Sequence, residues 1–98
     1  LELDPDNGKA LEEAIELHRA KGKHHEVELL LKKQLEQAKS AADREKLVKV
    51  LDQLGELYQK HLNEPELAID AFEAAQAFDP EDRPRAEKLA ELYALDPK

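Results

Sequence analysis

The chain has 98 residues, no cysteine and a formal net charge of −8. That length bounds it to about one domain, the missing thiols exclude disulfides and thiolate metal sites, and the negative charge opposes binding to a nucleic-acid backbone. Charged residues at 39% and only three glycines favour long helices over strands, and no apolar run reaches the roughly 18 residues that a membrane helix needs.

Residues 1–5 read as the tail of a helix begun earlier. The start also lacks the basic and apolar regions of a signal peptide, so the expectation is a piece of a longer protein, with a cytoplasmic setting favoured. Asp4-Pro5-Asp6-Asn7-Gly8 collects turn formers, and Asn7 or Asp6 is placed to cap a helix starting near Lys9. In that helix Ala10, Leu11, Ala14, Ile15 and Leu17 repeat at three and four, which is one buried stripe. Lys21-Gly22-Lys23 should end it, with Gly22 in the left-handed conformation.

From His24 to about Lys39 the set Val27, Leu30, Leu31, Leu35 and Ala38 again shares a face. The short break before it forces the second helix back against the first. Ser40 or Asp43 caps a third helix, running from about Arg44 to Leu62 with Leu47, Val50, Leu51, Leu54, Tyr58 and Leu62 on its main stripe. Val48 and Leu57 fall off the stripe, as expected of a helix packed on both sides.

Asn63-Glu64-Pro65 ends that helix and starts the fourth, which holds Ala68, Ile69, Ala71, Phe72, Ala74, Ala75 and Phe78. After Asp79-Pro80-Glu81-Asp82 a fifth helix, from Pro84 to about Leu95, carries Ala86, Leu89, Ala90, Leu92 and Tyr93 before Asp96-Pro97-Lys98 stops it. The fold class expected is therefore all-α, with about five helices in antiparallel hairpins.

Laid over one another, the hairpins match Leu11, Ala14, Ile15 and His18 with Leu51, Leu54, Gly55 and Tyr58, and Val27 and Leu31 with Ala68 and Phe72. The run Leu54-Gly55, Tyr58, Ala68, Phe72, Ala75 and Pro80 resembles a tetratricopeptide (TPR) repeat, with Leu51 where that family often has Trp. The resemblance spans nearly the whole chain. It divides one TPR-like domain into the tail of a preceding repeat (1–7), repeat one (8–42), repeat two (43–81) and the first helix of a further or capping repeat (82–98). Repeat one departs from the pattern, with Ile15 for Gly, His18 for Tyr and Gln34 for Ala. A larger residue at the Gly site pushes paired helices apart. Helical hairpins of the HEAT type are the alternative architecture.

The resemblance implies a right-handed superhelix whose first helices line a concave groove. On that geometry the groove presents Glu12 and Glu16, then Lys49, Asp52 and Glu56, then Glu87 and Glu91. A Glu follows the Gly-equivalent position each time, at Glu16, Glu56 and Glu91, which makes an acidic strip suited to a basic protein or peptide. The plain alternative is a solvated helix face, where Glu is common. Family members that clamp a carboxylate do so with Lys and Asn, whereas Glu12, Glu16, Asp52 and Glu56 would repel an acidic tail.

Catalysis is not expected, since there is no phosphate-cradling loop and Ser40, the sole Ser or Thr, has no paired base. No cofactor is implied. Among His18, His24, His25 and His61 the adjacent pair diverges by about 100° on a helix and cannot share a metal ion, and His18 reads as a packing residue. The function expected is an interaction scaffold that binds a peptide or partner domain. Its rival is a structural segment that stacks or self-associates through its terminal repeats, where Leu89, Leu92, Tyr93 and Leu95 need a cover.

Overall fold

Left-handed residues at Gly22, Ala42 and Asn63 mark where three of the helices stop. In the computed structural model, which describes residues 8–95, five helices follow in order: α1 Gly8–Ala20, α2 His24–Ala41, α3 Arg44–Lys60, α4 Pro65–Phe78 and α5 Arg83–Leu95. Gly22 has φ +72°, and the turn it makes lets the Lys23 amide donate back to the His18 carbonyl at 2.9 Å. This satisfies a carbonyl that the end of α1 would otherwise leave bare. Asn63 does the same after α3 with φ 55°. Ala42, at φ 54°, takes this role after α2 although its Cβ disfavours it by about 1–2 kcal/mol. The readings that fall on residues 1–7 and 96–98, including the preceding-repeat tail, the Asp6 or Asn7 cap and the Asp96-Pro97-Lys98 stop, lie outside the described residues.

Of the two candidate caps for α3, Asp43 is the one used: its carboxylate accepts from the Lys46 amide at 3.2 Å, whereas Ser40 belongs to the last turn of α2. Pro65 occupies the first turn of α4, where a missing amide hydrogen costs nothing. The connections are short, so consecutive helices return against each other, and α2, α3 and α4 each pack on both sequence neighbours. All the secondary structure of the described residues is helical.

The core runs through the middle of this series. Val27, Leu31, Ala68, Phe72 and Ala75 are sealed from solvent or nearly so, with Leu54, Leu57, Tyr58, Leu89 and Leu92 around them. Each large apolar side chain buried in this way contributes roughly 1.5–3 kcal/mol. The closest approach is at Gly55, where a Cβ would lie 2.5–2.8 Å from the Phe72 ring. The α3–α4 hairpin therefore closes over a residue with no side chain. In the α1–α2 hairpin the corresponding residues are Ile15 and Leu31, both buried.

Three expectations about faces are corrected. Leu17 and Phe78 are exposed rather than on the buried stripes of α1 and α4. On α5 the residues turned inward are Arg85, Leu89 and Leu92, while Ala86, Ala90 and Tyr93 face outward. The cause is Arg85. Its guanidinium is drawn into carboxylates on α3 and the α4–α5 turn, and this fixes the rotation of α5 about one residue away from the apolar register.

Candidate functional site

Alternate helices carry the charged residues that matter. Ion pairs join α1 to α3 and α3 to α5, so these three helices form one continuous charged face. On it the same arrangement occurs twice, once closed and once open.

The closed version surrounds Arg85. Asp82 caps α5 by accepting the Arg85 amide at 2.9 Å, as Asp43 caps α3. The Arg85 side chain then turns back toward α3 and is only 2% exposed. Its Nε and Nη2 donate to the two oxygens of Asp52 at 2.6 and 2.7 Å. Nη1 donates to the Asp79 carbonyl at 2.7 Å and to Gln76 Oε1 at 3.1 Å, and Nη2 also reaches Asp82 Oδ2 at 3.4 Å. All five guanidinium hydrogens have acceptors, as burial demands. Hydrogen bonding to Asp52 outweighs the cost of burial and raises the Arg85 pKa above its ordinary value. One turn on, Lys88 bonds to Glu56 with its ammonium 5.7 Å from the centre of the Phe72 ring. The Lys88 bond, set against partial burial, holds the Glu56 carboxyl below the usual carboxylate range.

The open version lies between α1 and α3. Lys46 stands three residues after its Asp cap, as Arg85 does, and reaches back to Glu12 as Arg85 reaches to Asp52. Its grip is looser: Nζ is 3.8 Å from Glu12 and the side chain is 35% exposed. Lys49 and Glu16 occupy the places of Lys88 and Glu56. Between the helices remains a cavity of about 520 Å³, lined by Glu12, Glu16, Gln34, Asp43, Lys46 and Lys49 among others. Its floor includes Ile15 and Gln34, which replace the Gly55 and Ala75 of the second hairpin.

The sequence-predicted site residues thus divide. Glu12, Glu16 and Lys49 converge on the cavity. Asp52 and Glu56 belong to the same face but are engaged by Arg85 and Lys88. Glu87 and Glu91 are exposed on α5. Arg85 is the residue that sequence reading missed. The signal available was the paired spacing Asp43 to Lys46 and Asp82 to Arg85, a basic residue placed three after an Asp at the start of α3 and again at the start of α5.

Away from this face, Tyr58 donates to Glu28 at 2.7 Å across α2 and α3. Burial works to raise the Glu28 pKa, but the bonds from Tyr58 and Lys32 overcome it and the net shift is downward. Burial and the same Glu28 bond push the Tyr58 hydroxyl upward. His18 is half-buried and donates from Nδ1 to the Ala14 carbonyl at 2.8 Å, in keeping with a packing role. His24 stacks on His61 with ring centres 4.2 Å apart. No group of three or more His, Asp or Glu among the described residues is arranged to hold a metal ion, and no helix among them is long and apolar enough to cross a membrane. Comparison with protein-family models, with curated proteins and with solved structures gives no match.

Proposed function

We propose that this chain is a segment of a TPR-like repeat array that binds a basic peptide or partner domain on the face formed by α1, α3 and α5. The observation that carries this reading is the open acidic cavity between α1 and α3, with Glu12 and Glu16 at its edge. The recurrence of one interface, Lys46 on Glu12 and then Arg85 on Asp52, supports the repeat interpretation. The chain's charge of −8 favours cationic partners and accelerates their encounter at low salt. Binding on a preformed helical surface avoids the ordering cost of a flexible binder. Neither catalysis nor a cofactor enters this reading.

Titration calorimetry with a capped hexapeptide of alternating arginine and glycine tests it. Reversing charge at Glu12, Glu16 and Glu91 leaves the Asp52 and Glu56 ion pairs in place and should weaken binding at least about tenfold, as the loss of several charge-assisted contacts implies. Unchanged binding in that variant contradicts the reading. So does comparable binding of an acidic hexapeptide.

A second reading is self-association through α4 and α5. Leu67, Phe78, Tyr93 and Leu95 are all large apolar residues at least 41% exposed, and unpartnered repeat surfaces invite stacking. Light scattering separates the two, since a concentration-dependent dimer that excludes the peptide favours stacking.

A further inference from the structure

The two interfaces on the charged face carry the same kinds of charge. Around Arg85 and Lys88 stand Asp52, Glu56, Asp79 and Asp82, and around Lys46 and Lys49 stand Glu12, Glu16, Asp43 and Glu45. What differs is occupancy. In the α3–α5 interface a planar guanidinium fills the centre and satisfies its donors on four residues. In the α1–α3 interface a slimmer ammonium reaches one carboxylate at 3.8 Å and a cavity of about 520 Å³ remains.

Gln34 adds a polar side chain to the wall of the cavity and is 3% exposed. Asp43 spends Oδ1 on the Lys46 amide and keeps Oδ2, the oxygen whose counterpart in Asp82 receives Arg85 Nη2.

We propose that the α1–α3 cavity is the seat for one arginine side chain supplied by the partner, held by Glu12 and Asp43 with Gln34 Oε1 as a further acceptor. Chemically this copies the internal seat of Arg85. It rests on the proposed binding of basic partners and goes further, by naming the side chain that specifies them and where it enters. Lysine is the poorer occupant because a single ammonium cannot bridge these acceptors in a plane. Citrulline keeps the shape and lacks the charge. Lys46, partly exposed and loosely held, swings outward when the guanidinium enters.

The test uses capped pentapeptides of glycine and serine with arginine, lysine or citrulline at the centre, titrated at millimolar concentration while the Gln34 side-chain amide is followed by nuclear magnetic resonance. The arginine peptide should bind about fivefold or more tightly than the lysine peptide and shift the Gln34 signals, while the citrulline peptide should not bind. Lys46→Arg, which fills the seat from within, should weaken arginine-peptide binding about tenfold, with its unfolding midpoint checked to confirm the fold. Glu12→Gln, at a 57% exposed side chain, should weaken it severalfold. Equal affinity for arginine and lysine peptides, with no effect of Lys46→Arg, overturns the seat and leaves the acidic-face reading standing. Failure of the alternating arginine–glycine hexapeptide to bind as well overturns both.

Discussion

Arg85 and Asp52 face each other across the α3–α5 contact through two parallel hydrogen bonds of 2.6 and 2.7 Å. The guanidinium is buried while Asp52 keeps 31% exposure, so the pair is asymmetric: the carboxylate can fall back on water and the cation cannot. Replacing Asp52 by Ala should therefore cost about 3 kcal/mol, the range for stranding a buried charge. Arg85→Lys should cost about 1–2 kcal/mol through lost bidentate bonds. Urea unfolding of the two variants checks the order. If Asp52→Ala is the milder change, the pair does not anchor α5.

Gly55 against Phe72 sets the second relationship. An added methyl would sit 2.5 Å from a ring carbon of a side chain with no exposure. Gly→Ala inside a helix ordinarily gains about 1 kcal/mol, whereas overpacking a sealed contact costs about 1–3 kcal/mol. Gly55→Ala should thus lower stability by about 1 kcal/mol, contrary to the usual helix rule. A thermal midpoint that rises in this variant means the hairpin can open without penalty.

Helix boundaries and the small residues of the second hairpin were legible because they follow from local chemistry. Gly22 and Asn63 stop helices by backbone conformation, and Ala68, Phe72 and Ala75 are buried where their spacing puts them on one face. The orientation of α5 was not legible. Its apolar residues Ala86, Ala90 and Tyr93 point outward because a long-range ion pair, Arg85 with Asp52, decides the rotation, and no pattern within one helix reports a partner 33 positions away. Ion pairs link α1 to α3 and α3 to α5 across the face where the sequence suggested an acidic strip. That Asp52 and Glu56 are engaged by Arg85 and Lys88 while Glu12 and Glu16 border an opening depends on contacts between helices far apart in sequence, which no local pattern reports.

Acid should unfold the chain in a defined window. Glu28 and Glu56 have folded pKa values below their ordinary 4.5, so the folded state binds fewer protons than the unfolded chain at these sites. Their contribution is complete above the ordinary carboxylate range and disappears as pH falls through the lowered values. The urea midpoint should fall between about pH 5 and pH 3, and a Glu28→Gln and Glu56→Gln double variant should show a shallower decline across that interval. Identical pH profiles would remove both residues from the acid response.

The arginine-seat proposal depends on the α1–α3 cleft being an unfilled copy of the seat that Arg85 occupies. A crystal structure of the Lys46→Arg variant measures this most directly. The expected result is a guanidinium lying between Glu12 and Asp43, within about 3 Å of their oxygens, with the cavity closed and Gln34 bonded to it. A side chain extended into solvent over an unchanged cavity would contradict the correspondence.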